Sequence, residues 1–238
     1  MIKVILKFFF SQRFVRVIVD FYGYYFDGYS KKSYSQEGED MILQRLFEKQ
    51  KTGFYVDVGA HHPRRFSNTY FFYKKGWCGI NIDAMPNSMK RFNRSRPRDI
   101  NIEKAISENE KILKYYGFNE PALNGFSKKI SEERNSKNGY SIEFTKDIKT
   151  CTLENILDNN LPENQEIDFL TIDVEGLDFE VLKSNNFEKY RPKVILVELL
   201  KSSLSNIENN EINRFLENLD YSIYAKAVNT VFFLDKNQ

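Results

Sequence analysis

A chain of 238 residues is long enough for one sizeable α/β domain with extensions, and short for two independent ones. With 41% apolar and 29% charged residues it is no disordered chain, and a net charge of +2 provides no overall field to hold a nucleic acid. Cys78 and Cys151 lie far apart without CxxC spacing, which excludes a disulfide framework or a zinc-finger pattern and fits a reducing, cytoplasmic setting.

In chain order, the first segment is the most apolar, "MIKVILKFFFSQRFVRVIVDFYGYYF" (1–26). Lys3, Lys7, Arg13, Arg16 and Asp20 interrupt it too often for the run of about 18 apolar residues that a membrane span needs. No small-residue cleavage site of a secretory signal follows it. The pattern predicts helices with a kink near Gln12, packing on the domain or in a dimer contact with a partner subunit, or making a peripheral membrane contact, through residues 1–26. We therefore divide the chain into an N-terminal helical extension, 1–32, and a domain, 33–238.

Residues 34–47 read as a helix with Glu37, Glu39 and Asp40 crowding its first turn, where the helix dipole favours negative charge. From residue 53 short apolar strands alternate with amphipathic helices, the pattern of a mostly parallel sheet with helices on both faces. Strands are expected at 53–60, 77–84, 99–106, 167–175 and 193–200, and helices at 67–75, 87–95, 152–160, 177–185 and 209–219. The basic run "KRFNRSRPR" (90–98) reads as a solvated helix end. Residues 119–141 are polar and punctuated by Gly125 and Gly139, as in a loop or lid inserted beside a pocket. Two alternating runs around Asn229 (221–235) predict an antiparallel hairpin that closes the sheet.

In such a sheet ligands sit beyond the carboxyl ends of the strands, where this chain carries Asp57, Asp83 and "DVEG" (173–176). A dinucleotide fold needs G-x-G-x-x-G at the first of these places, so that bare backbone can approach a pyrophosphate. Here Gly59 is followed by Ala60, His61, His62 and Pro63. A pyrophosphate is poorly served by that loop. S-adenosylmethionine (SAM) has no phosphate and presents an ammonium, a carboxylate and a sulfonium. Asp57 would accept from the ammonium, backbone N–H groups near Gly59 would meet the carboxylate, and Asp83 would hold the ribose, with Ala60 and Ala84 beside them.

The blocks "YSQEGED", "FYVDVGAHHPRRFSNTY", "GWCGINIDAMP", "RPRDINIEKAI", "EPALNGFS" and "IDFLTIDVEGLDFEVLKSN" occur in order. Over about residues 33–200 the chain resembles the FkbM-type SAM-dependent methyltransferases. The resemblance implies a class I methyltransferase (Rossmann-like) fold, SAM as donor, and O-methylation of a sugar, sugar nucleotide or related metabolite in surface-glycan (polysaccharide) or secondary-metabolite biosynthesis. Carried over, Asp57 and Gly59 match the first SAM motif, Asp83 the ribose acid, and Asp173, Glu175 and Gly176 the motif after the fourth strand.

For a hydroxyl acceptor a general base is useful, and the candidates are Glu175, Asp173, His61 and His62. Adjacent residues in extended chain point opposite ways, so one histidine would face the pocket, and Asp173 and Glu175 would share a side if the strand runs that far. Asp173 is also a candidate for the ammonium. Gln36 would reach over the cofactor from the preceding helix. Asn124 and Phe126 offer the amide and aromatic face that suit a sugar. Asp173, Glu175 and His61 are too few for a hard-cation site, so no metal is expected. An NAD-dependent oxidoreductase or epimerase and a non-catalytic binding or scaffold protein are the alternatives.

Overall fold

The computed structural model describes residues 11–26, 28–200 and 202–237. They fall into two compact units, one ending at Ser33 and one starting at Tyr34. The first contains helix α1 (Gln12–Tyr25), whose N-terminus is capped by Ser11, the hydroxyl of which accepts from the Phe14 N–H at 3.4 Å. After the helix the chain returns so that the Tyr29 ring lies on Gly23, where a Cβ would come within 2.3 Å of it, and the Tyr29 hydroxyl donates to Asp20 at 3.4 Å. The expectations for residues 1–10, including the helix before the kink, fall outside the described residues. No helix among the described residues is long and apolar enough to cross a membrane.

The second unit is built on a seven-stranded sheet. Its strands are β1 (Phe54–Val58), β2 (Cys78–Asp83), β3 (Ile100–Glu103), β7 (Phe169–Ile172), β8 (Val194–Glu198), β9 (Tyr221–Ala227) and β10 (Thr230–Asp235), in the order β3-β2-β1-β7-β8-β10-β9. Strands β3 to β8 of this order pair in parallel, and β10 pairs antiparallel with both β8 and β9. Successive residues serve opposite faces: Val56, Val58, Leu170, Ile172, Ile195 and Val197 enter one core, and Tyr55, Phe169, Val194 and Leu196 the other. Burial on both faces is why β8 reads as a continuous apolar run. Helices α6 (Leu153–Asn160), α7 (Asp178–Lys183) and α8 (Glu211–Glu217) add Leu157, Leu182 and Leu216 to the first core, while α2 (Glu39–Leu46) and α3 (Tyr70–Lys74) add Leu43 and Phe72 to the second. The chain builds outward from β1 to β3, then returns to lay β7 against the other side of β1. That reversal opens a crevice at the carboxyl ends of β1 and β7.

Several expectations need correction. The helix expected over 34–47 begins at Glu39, because Gly38 has a φ of 89° and the residues before it turn back on Asp40, which accepts from the Tyr34 N–H at 2.8 Å. The strand expected over 99–106 breaks at Lys104, and its end, β4 (Ala105–Ile106), joins a second sheet of order β4-β6-β5. In that sheet β5 (Ile112–Phe118) and β6 (Ile142–Cys151) form an antiparallel hairpin absent from the sequence reading. Much of β6 is exposed and polar, so no apolar alternation marks it. The insert at the tip of this hairpin is folded, with a 3₁₀ turn at Pro121–Leu123 and helix α5 (Lys128–Arg134).

The basic run 90–98, most of it in α4 (Met89–Ser95), is likewise not all solvated, since Arg96 just after the helix is fully buried. Its Nε donates to Asp99 at 2.7 Å, and one Nη donates to the Tyr55 hydroxyl at 2.8 Å and to the Thr69 hydroxyl at 3.0 Å. Thr69 in turn donates to Asp57 at 2.9 Å. A buried guanidinium needs such saturation, and this one ties β1 to the segments that flank β2.

Candidate active site

A cleft of about 420 Å³ opens at the carboxyl edge of the sheet, a size that suits a small-molecule ligand. Its floor is set by Gly59, which follows β1 with a φ of 87° and lies so close to β7 that a Cβ would sit 1.8 Å from the Asp173 carbonyl oxygen. Glycine is required here by close approach as well as by backbone angle. The Gly59 and Ala60 N–H groups donate to the Ile82 carbonyl at 2.9 and 3.1 Å, so both amides are engaged by β2 and not turned to a ligand carboxylate as expected.

Asp83 lines the cleft at the end of β2 and clamps the loop after Gly59. One of its oxygens accepts from the His61 N–H at 2.8 Å and the other from the Met85 N–H at 2.7 Å. Burial raises its pKa, and these two bonds oppose the rise. Each oxygen keeps a lone pair for a ligand hydroxyl. Ala84 also lines the cleft. His61 does too, with a φ of 50° and a buried Nε2 that has no hydrogen-bond partner among the described residues. Burial first, then the neighbouring Arg65, lowers its pKa to about 4, so its ring is neutral at pH 7.

Three expected contacts are corrected by position. His62 does not reach the cleft; its Nδ1 accepts from the N–H groups of Arg64 and Arg65 at 3.1 and 3.0 Å and caps the loop. Asp57 lies behind the floor, buried against Thr69, because its place in β1 points it away from the edge. Burial lifts its pKa to about 6, with Arg96 pulling the other way. Ala60 is buried and packs with Met89 and Phe92, outside the cleft.

The opposite wall follows β7, which ends at Ile172. Strand periodicity therefore does not relate Asp173 to Glu175: Glu175 has a φ of 53° and Gly176 a φ of 104°. Both acids still line the cleft, through a turn that Asp178 clamps by accepting from the N–H groups of Val174 and Gly176 at 3.1 Å each. Glu175 Oε2 lies 2.8 Å from Arg134 Nη1 of α5, an ionic contact in which neither atom gains an aligned hydrogen bond. Burial raises the Glu175 pKa and Arg134 opposes it.

Glu198, not singled out from the sequence, completes the wall. The register pairs Ile172 with Val197, so Glu198 at the end of β8 falls beside Asp173. It lines both the cleft and a water-sized annex of about 30 Å³ walled by Glu37, Asn68, Thr171 and Thr230. Burial, then repulsion from Glu175 and Asp178, pushes its pKa up to about 8. Asp173 is exposed to the cleft, and desolvation by the surrounding protein, with Glu198, Asp178 and Glu175 around it, holds its carboxyl above the usual range. The only sequence signal for Glu198 was one acid interrupting "KVILVELL".

Gln36 is exposed at the rim, and Asn124 and Phe126 lie on the insert side of the cleft. Asn124 Oδ1 accepts from the Phe118 N–H at 2.8 Å, and the Phe126 ring meets Tyr115 edge-on at 5.1 Å. Gly125 between them exchanges backbone hydrogen bonds with Tyr116 and brings the insert against Glu175, where an added Cβ would lie 3.0 Å from the Glu175 Cβ.

The strand order, the single reversed strand and an acidic crevice at the switch point define a Rossmann-like α/β protein of the class I methyltransferase kind. The family model of the methyltransferase FkbM domain matches residues 57–223, well over half of the sequence, and the chain belongs to that family. Among solved structures it is similar to a TehB-like SAM-dependent methyltransferase from Corynebacterium glutamicum ATCC 13032 Kitasato, at 7% identity and a TM-score of 0.42, over 93% of this chain and 100% of that one. A comparison with curated proteins gave no match.

Proposed function

We propose that the protein transfers the methyl group of SAM to a hydroxyl of a sugar, sugar nucleotide or related small metabolite. One observation carries this reading: Asp173, Glu175 and Glu198 crowd one wall of the cleft with Arg134 as the cation among them. Such a wall is relieved by a cationic ligand and repels a diphosphate. SAM bears an ammonium and a sulfonium, and NAD bears a pyrophosphate, for which this loop lacks the glycines that would follow Gly59 in G-x-G-x-x-G. The residues present fit the donor: Asp173 for the ammonium and Asp83 for ribose hydroxyls, with Gly59 bordering the same cleft.

When bound, SAM supplies an electrophilic methyl that leaves a neutral thioether. The chain's own part is alignment and proton removal. As the acceptor oxygen forms its bond to the methyl carbon, its proton passes to a carboxylate, and we assign that role to Glu198. Glu198 borders the cleft, and its carboxylate makes no ion pair or hydrogen bond among the described residues, whereas Glu175 is held by Arg134. Asn124, Phe126 and Tyr115 form the acceptor side of the cleft. Neutral His61 supports the loop and holds no charge against the sulfonium. By resemblance we place the reaction in surface-glycan or secondary-metabolite biosynthesis; the free thiols of Cys78 and Cys151 suit a reducing cytoplasm.

The test is mass spectrometry of sugar nucleotides and small glycosides incubated with the protein and methyl-labelled SAM. Labelled methyl on an acceptor oxygen is the expected product. Binding of NAD without binding of S-adenosylhomocysteine would replace this reading by the oxidoreductase one. Saturable donor binding without transfer to any acceptor would favour a binding protein.

A further inference from the structure

The net charge of +2 conceals an uneven distribution. Residues 1–33 hold six basic residues (Lys3, Lys7, Arg13, Arg16, Lys31, Lys32) against Asp20 and Asp27, a net of +4, which leaves −2 for residues 34–238. Within this segment α1 sorts its residues by face. Arg13, Arg16 and Asp20 follow the i, i+3, i+7 spacing of one helical stripe, and Val17, Phe21 and Tyr24 follow i, i+4, i+7 on another. The second stripe faces water: Val17 is 65% exposed, Phe21 57%, Tyr24 79% and its neighbour Tyr25 65%. An apolar stripe this continuous calls for a partner.

We propose that this helix lies on an anionic lipid surface, with its Val17–Phe21–Tyr24 stripe in the headgroup boundary and the surrounding arginines and lysines on the lipid phosphates. Charge selects this occupant. A second copy paired through the same helix would set one +4 segment against another, whereas anionic headgroups complement it. Side-chain type agrees, because Tyr and Phe are favoured at the boundary between water and hydrocarbon. Arg13 and Arg16, on the polar side, can extend toward phosphates while their stems cover the helix flank. With no spanning helix among the described residues, attachment is peripheral and reversible.

Flotation of the full chain with phosphatidylcholine vesicles, with and without phosphatidylglycerol, tests this. Binding is expected with phosphatidylglycerol only, and it should fall as salt is raised. Each basic residue near such a surface strengthens binding roughly fivefold, so Arg13→Gln with Arg16→Gln should weaken it roughly thirtyfold. Phe21→Glu should weaken it at least about tenfold. Tyr24→Ser is a milder change in the same direction, and S-adenosylhomocysteine binding together with far-ultraviolet circular dichroism reports that each variant is folded. Absence of binding by the folded wild type, equal binding to neutral vesicles, or binding indifferent to Phe21→Glu and Tyr24→Ser would overturn the proposal. So would a wild-type dimer in sedimentation that ignores vesicles and becomes a monomer on Phe21→Glu.

Discussion

Glu198 ends an apolar strand with a carboxylate that has no ion pair or side-chain hydrogen bond among the described residues, and its chemistry is testable on its own. If it removes the acceptor proton, Glu198→Gln should lower kcat by about 10² to 10⁴ and leave S-adenosylhomocysteine affinity within a few-fold. Equal losses in affinity and turnover would assign it a binding role instead. Its raised pKa of about 8 has two signed consequences. In the empty protein the group binds more protons than in the unfolded chain between its ordinary value and about 8. Its contribution to stability is therefore present at acid pH and lost as pH rises through about 8. A cationic ligand favours the ionised form and lowers the pKa, so binding near pH 7 should release a proton. Titration calorimetry of SAM in buffers of different ionisation enthalpy should detect that release, and Glu198→Gln should reduce it. A heat independent of buffer would show that the cation does not meet this carboxylate. His61 titrates in the opposite sense: with its pKa lowered to about 4, it withdraws stability as pH falls below its ordinary value, since the unfolded chain then binds more protons.

At the scale of elements, the site depends on how closely β1 and β7 approach and on what holds β1 in place. Gly59→Ala would put a Cβ 1.8 Å from the Asp173 carbonyl at a φ of 87°, so the strand ends must part. We expect S-adenosylhomocysteine binding to drop at least about tenfold, because movements on the order of an ångström disrupt aligned contacts. Affinity unchanged in a folded Gly59→Ala protein would remove this glycine from the site. Behind the same strand, Arg96→Ala would leave Asp99 and the Tyr55 hydroxyl buried without their cation. Breaking one partner of a buried pair costs about 3–5 kcal/mol, which urea unfolding monitored by circular dichroism would register. A loss under about 1 kcal/mol would mean that water replaces the guanidinium.

At the scale of the molecule, what was legible follows from burial. Strands covered on both faces leave predominantly apolar segments, so β1, β2, β7 and β8 could be read to within two or three residues, and the closing hairpin turned at Asn229 as its alternation implied. The β5–β6 hairpin was not legible because much of it faces water, and its polar residues resemble a loop. Arg96 was hidden in a basic run whose other basic residues, Lys90, Arg91, Arg94 and Arg98, are exposed. Asp83, Asp173 and Glu175 could be placed at the ligand edge from chain order alone. Glu198 could not: only the register of β8 on β7 sets it beside Asp173, two segments 25 residues apart. Asp57 and His62 misled because a motif position does not say which way a side chain points. The central claim is that this acid-walled crevice holds a sulfonium nucleoside, and equilibrium titration of the full chain with S-adenosylhomocysteine and with NAD tests it most directly. The account predicts saturable binding of the first, weakened by Asp83→Ala, and none of the second; NAD binding, or no binding of S-adenosylhomocysteine by folded protein, would contradict it.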